Sequence, residues 1–170
     1  TSQSDGYTEM TLVFCINPTT HNVAEIISTS DRAFTVYMAS NFGGIVVRMI
    51  DASGGWCIWY VNASDSPQLS GQLEEGEWSA VMISMQNDAG SPESTSMKIM
   101  IDGAIKQDGP AETGGNNPTM RPMGYGGRVS VGRPYNTEDQ LDCGLSYIWC
   151  DETYLDPETY FTDFFSDNGD

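Results

Sequence analysis

Basic residues are scarce in this sequence. Seven Lys and Arg stand against 24 Asp and Glu, giving a net charge of −17. Binding nucleic acid through its phosphates needs a basic surface, so that function class is excluded. The same charge disfavours anionic membrane surfaces and suits a solvated outer surface, a cation or a basic partner. There is one histidine, His21, and the four cysteines Cys15, Cys57, Cys143 and Cys150 have no CxxC spacing, so zinc is not indicated. Each cysteine lies in or beside an apolar strand-like run, which favours free buried thiols; three pairings exist if all four are oxidised. No apolar run approaches the roughly 20 residues of a membrane-spanning helix, so no membrane insertion is expected. No signal peptide is evident, and the chain begins at Thr1 rather than Met, which suggests a piece of a longer polypeptide.

What is present reads as strand and turn. A chain of 170 residues fits a single domain, residues 1–170, with a sizeable core. Gly and Pro number 18 and 8, which favours many short strands joined by turns. Residues 76–103, GEWSAVMISMQNDAGSPESTSMKIMIDG, organise the rest. Trp78, Ala80, Met82 and Ser84 alternate with Ser79, Val81, Ile83 and Met85. Apolar residues in both sets predict an inner strand covered on both faces. A polar loop follows, then Met97, Ile99 and Ile101 in alternation, and Asp102-Gly103 supplies a tight hairpin turn. Trp78, Val81, Ile83, Ile99, Ile101, Val129, Val131 and Ile148 are the expected core positions.

The remaining chain keeps the pattern. Strands are expected at 7–17, 22–28, 33–39, 45–50 and 56–61, with a short one at 68–70 and a return strand at 104–107. Recurrence at about 8–12 residues with turns between points to an all-β sandwich or barrel. Residues 108–127 are rich in Gly, Pro and Asn and read as a long loop, of the kind that is often functional. Further strands are expected at 128–132 and 143–150, the latter with Leu145, Tyr147 and Trp149 on one face. Asp156-Pro157-Glu158 opens the one helix, capped by Asp156, with an apolar stripe of Tyr160, Phe161, Phe164 and Phe165.

The order of these motifs resembles the laminin G-like, or concanavalin A-like, jelly roll. The motifs are Glu77-Trp78-Ser79, Ile101-Asp102-Gly103, residues 129–132 and residues 144–148, preceded by Ile26-Ile27-Ser28 and Phe34-Thr35-Val36-Tyr37. The resemblance covers most of the chain and implies a two-sheet antiparallel jelly-roll sandwich with at most one short C-terminal helix. Tyr154-Leu155-Asp156, residues 160–165 and Asn168-Gly169 are similar to the closing segment of such modules in virion proteins of tailed phages and gene-transfer particles. It implies a non-enzymatic surface module, a structural or adhesion component of a phage-type virion. Its place would be the virion surface or the extracellular space, with other virion or surface proteins as partners in multiple copies. The alternatives it leaves are an extracellular lectin-like module and, less favoured, a glycan-cleaving jelly roll.

The E-x-D-x-E pattern that sets catalytic carboxylates on one strand face is absent, and Glu75 and Glu77 read as a solvated turn. His21 lacks a G-x-S-x-G partner and reads as an exposed loop histidine. No catalytic residue is assigned, and no cofactor is required. Calcium would suit the oxygens of Asn136, Glu138, Asp139 and Asp142 on one acidic loop, although no EF-hand spacing supports them. Tyr125, flanked by glycines, and Trp59 are the aromatics assigned to glycan stacking. Tyr160, Phe161, Phe164 and Phe165 are the assigned partner contacts, with packing on their own sheet as the alternative.

Overall fold

The structure is a computed structural model that describes residues 9–21, 23–29, 34–39, 44–50, 56–61, 73–87, 95–109, 113–114, 129–132 and 141–165. The strand expected at 68–70 lies outside them. The described strands in chain order are β1 (Glu9–Pro18), β2 (Ala24–Thr29), β3 (Phe34–Met38), β4 (Ile45–Ile50), β5 (Trp56–Tyr60), β6 (Ser79–Asn87), β7 (Thr95–Ile101), β8 (Ala104–Gly109), β9 (Thr113–Gly114), β10 (Val129–Val131) and β11 (Cys143–Asp151). The helix α1 spans Pro157–Phe164. A five-stranded sheet, β11-β1-β6-β7-β8, faces a six-stranded sheet, β10-β2-β3-β4-β5-β9, and every described pairing is antiparallel. This is the expected two-sheet sandwich with one short helix. The pairing of β5 with β9 shows that residues 113–114 are a strand, where the composition reads as loop.

Strand alternation builds the core. Met10, Leu12, Phe14 and Ile16 of β1 point inward, and Phe34, Val36, Met38, Ile45, Val47 and Met49 meet them from the other sheet. Val81, Ile83, Ile99 and Ile101 are buried as expected. Each such side chain contributes roughly 1.5–3 kcal/mol by leaving water. The opposite phase of β6 is also covered, because Met82 packs with Val13, Met100 and Phe161 beneath α1. Asp102 and Gly103 take positive φ angles of 50° and 75°, the geometry of a two-residue hairpin turn.

Four expected core residues are not buried: Trp78, Val129, Val131 and Ile148 are 56%, 50%, 49% and 45% exposed. The valines belong to β10, a three-residue strand that among the described residues pairs with β2 alone, at the edge of its sheet. Ile148 sits in a bulge on the edge strand β11. Val13 pairs with Trp149 and Cys15 with Ser146, so Tyr147 and Ile148 together oppose Phe14. Tyr147 takes φ 50° there. The extra residue reverses the alternation: Leu145 packs on the inner core, whereas Trp149 packs on the α1 side. The expected single face of Leu145, Tyr147 and Trp149 is thereby split. The thiols also differ from expectation. Cys15, Cys143 and Cys150 are free, but the first two are only partly buried and Cys150 is exposed. The side chain of Cys57 is not among those described.

Candidate functional site

The outer face of the five-stranded sheet divides into two halves. Helix α1 covers one. Asp156 caps it by accepting from the Glu158 backbone N–H, and Pro157 occupies the first turn. Lys98 of β7 donates to Asp156 Oδ1 at 3.0 Å and to Glu158 Oε2 at 2.7 Å, tying the helix start to the sheet. These two hydrogen bonds, that to Glu158 first, hold the Lys98 ammonium well above the ordinary lysine pKa. The approach segment is fixed by Thr11, whose hydroxyl donates to the Thr153 carbonyl at 2.7 Å and accepts from the Leu155 N–H at 2.9 Å. Phe161 is buried on Val13, Met82 and Met100. Phe164 and Phe165 are partly buried beside it, with Trp149–Phe164 centroids 4.9 Å apart and Tyr147–Phe165 centroids 6.1 Å apart. Of the four aromatics assigned to partner contact, three therefore pack on their own sheet, and Tyr160 is the exposed one.

The other half carries Trp78 and is covered by no helix or strand among the described residues. A tight turn at 73–77 delivers this residue. Its Gly76, at φ 79°, donates through its N–H to the Pro18 carbonyl at 2.7 Å, and Asn17 Nδ2 donates to the Gly76 carbonyl at 3.1 Å. His21 closes the clamp. Its backbone N–H donates to Glu75 Oε1 at 2.8 Å, and its Nε2 lies 2.6 Å from the Leu73 carbonyl, which makes Nε2 the protonated nitrogen. His21 is therefore a largely buried clasp, not an exposed loop residue, and Nε2 is engaged by a carbonyl rather than a nucleophile. Clamped in this way, Trp78 lies over Gly144 of β11, where a Cβ would stand 2.9 Å from the indole Cη2 and 3.1 Å from Cζ2. Strand alternation places Cys15 and Asn17 on the same outer face, with Ser146 beside Gly144.

Trp59 is corrected as a glycan-stacking residue. It is wholly buried in the core, with its Nε1 donating to the Gly109 carbonyl at 3.2 Å, so neither ring face is free. Tyr125 lies outside the described residues, as do Asn136, Glu138 and Asp139 of the calcium set. Asp142 is described and exposed, and its backbone carbonyl accepts from the Thr19 N–H at 2.9 Å. Among the described residues no group of three or more His, Cys, Asp and Glu could hold a metal ion.

The outer face of the six-stranded sheet carries a second set of polar residues. Its described residues include Glu25 and Ser28 of β2, Thr35 and Tyr37 of β3, and Val46 and Arg48 of β4. Glu25 is the carboxylate among these described residues, and it is fully buried. Ser28 and Thr35 are register partners whose hydroxyls are buried without a hydrogen-bond partner.

Sequence reasoning passed over Trp78 as a surface residue because a tryptophan opening an apolar strand reads as core. The available signal was the polar turn in front of it and a glycine in β11, whose partnership only the register reveals.

No protein-family model matches the chain, and no curated protein matches it. Solved structures do. The receptor-binding domain of botulinum neurotoxin type G aligns with a TM-score of 0.63 and 12% identity, over 92% of this chain and 38% of that one. The binding domain of Paraclostridial Mosquitocidal Protein 1 aligns with a TM-score of 0.64 and 14% identity, over 95% and 38%. The binding domain of botulinum neurotoxin serotype D gives 0.59 and 15%, over 95% and 38%. At such identities the likeness shows the fold, which agrees with the expected jelly roll. The chain spans less than two fifths of the length of these three domains. No helix among the described residues is long and apolar enough to cross a membrane.

Proposed function

We propose that this chain is a non-enzymatic recognition module displayed on the outside of a particle or cell, one domain of a longer polypeptide. The observation that carries the reading is the distribution of exposed apolar residues. Trp78, Tyr147 and Ile148 lie on and beside the edge strand β11, and Tyr160 is exposed on the helix whose Phe164 and Phe165 reach Tyr147 and Trp149. A chain this acidic would gain solubility by burying them. Aromatic residues left open on one side of a charged domain are the composition of a binding surface. The structural likeness to neurotoxin receptor-binding domains supports a binding role for the fold.

The finer reading is a structural or adhesion component of a phage-type virion, present in several copies. Its support is the resemblance of residues 154–169 to the closing segment of virion modules. Native mass measurement of the protein from its source material tests it. Repeating copies joined by an interface above roughly 1,000 Å² are expected. Recovery as a lone monomer overturns the virion placement and leaves the binding module.

A further inference from the structure

The surface-module reading leaves open what the uncovered half of the outer face binds. We infer that Trp78 is a stacking platform for a neutral pyranose residue of a glycan, an inference that rests on that reading. Trp78 is more than half exposed, and the backbone turn that carries it is fixed. The turn before it is clamped at Pro18, Asn17 and His21, and the benzene end of the indole is seated on a position where only a glycine leaves room. The ring thus meets β11 through its benzene edge, and more than half of the residue remains exposed. The ring face carries partial negative charge, which attracts the partly positive C–H groups on one side of a pyranose.

Polar residues suited to sugar hydroxyls flank Gly144, the ring's seat. Asn17 spends one amide hydrogen on the Gly76 carbonyl and keeps its Oδ1 and second hydrogen free among the described residues. Ser146, exposed, stands two residues beyond Gly144 on β11, the spacing that sets strand side chains on one face, and Asp142, also exposed, lies just before the strand. An acceptor carboxylate, a hydroxyl and an amide beside an aromatic plane can fix a sugar ring by stacking and hydrogen bonds together. Charge narrows the class. Glu74, Glu75, Glu77 and Asp142 are all exposed near the ring, and the chain carries −17 overall, so sialylated, sulfated and uronic sugars are repelled.

The test titrates the full chain with maltotetraose, cellotetraose, mannotriose and triacetylchitotriose, followed by tryptophan fluorescence and by saturation-transfer NMR. Saturable binding of at least one is expected, with a sialylated trisaccharide at least tenfold weaker. Trp78→Ala, at an exposed position, should lower affinity at least tenfold with the unfolding midpoint little changed, and Asp142→Asn should lower it several-fold without touching the ring. Absence of binding to every neutral saccharide, or binding by Trp78→Ala within twofold of the native chain, overturns the inference. A chain that ignores saccharides but assembles into repeating copies overturns the platform and keeps the surface module. A chain that does neither overturns the platform and the virion placement and leaves a binding module for another partner.

Discussion

The indole of Trp78 lies so close over Gly144 that a Cβ on the glycine would stand 2.9 Å from Cη2. Gly144→Ala must therefore displace the ring. The contact is with the far end of an exposed side chain, so the ring can swing away at a cost of about 1 kcal/mol, the low end for overpacking. In a Trp78→Ala background the same substitution should cost almost nothing. Urea unfolding of the four chains in a double-mutant cycle checks this, with a coupling of roughly 0.5 kcal/mol or more expected for residues in contact. Equal costs in both backgrounds would show that the ring is not seated there.

Thr11 offers a sharper test of how the helix is hung. Its buried hydroxyl serves the Thr153 carbonyl and the Leu155 N–H together. Thr11→Val keeps the shape and strands both backbone groups, each at about 1–3 kcal/mol. A loss of roughly 2–4 kcal/mol is expected by denaturant unfolding. Ser84→Ala should cost much less, because the Ser84 hydroxyl reaches Thr11 only at 3.4 Å.

The strand order follows from period-two alternation and turn residues, which is why β4, β5 and the Asp102-Gly103 hairpin fall where the residues place them. Core phase was legible wherever a strand is paired on both sides, as for Ile83 and Ile99. It failed at edges. Val131 has the same residue type and alternation as Val81, but only a neighbouring strand decides whether a flank is covered. The bulge at Tyr147 was invisible for a related reason: nothing in CGLSYIWC marks the residue that takes a positive φ, since glycine usually occupies that conformation. The candidate site was the least legible part. It depends on residues 17, 21, 76, 78 and 144, which belong to three segments brought together by register alone.

Lys98 should reveal its clasp through pH. Its pKa is raised in the folded chain, so the stabilisation is fully present below the ordinary lysine value of about 10.4 and is lost as pH rises through the higher folded value. The partners Asp156 and Glu158 are substantially exposed, which limits the contribution to roughly 0.5–1 kcal/mol. Lys98→Met should therefore be less stable than the native chain by that amount from pH 6 to 9, with the gap narrowing above about pH 10.5. A gap unchanged at high pH, measured by urea unfolding, would mean that the clasp contributes nothing.

Cys143 gives the last prediction, a rate rather than a stability. Burial pushes its thiol up to about 11, with the charge of Asp142 adding to the shift. The thiolate is the reactive species. At pH 8 a thiol of that pKa is about 0.1% ionised, against roughly a quarter for an ordinary thiol near 8.5. Labelling of Cys143 by iodoacetamide in the folded chain should then run on the order of 100-fold slower than in urea, and rise about tenfold per pH unit up to about 11. Cys150 is pushed to about 11 as well, by burial first and then by Asp151 and Glu152, although the residue as a whole is exposed. The two sites separate under mutation. Asp142→Asn removes a charge that acts on Cys143 and not on Cys150, so site-resolved mass spectrometry should show faster labelling at Cys143 alone. Equal acceleration at both sites would point to loosening of β11 as a whole, and rapid labelling of Cys143 at pH 8 in the native chain would contradict the burial of its sulfur.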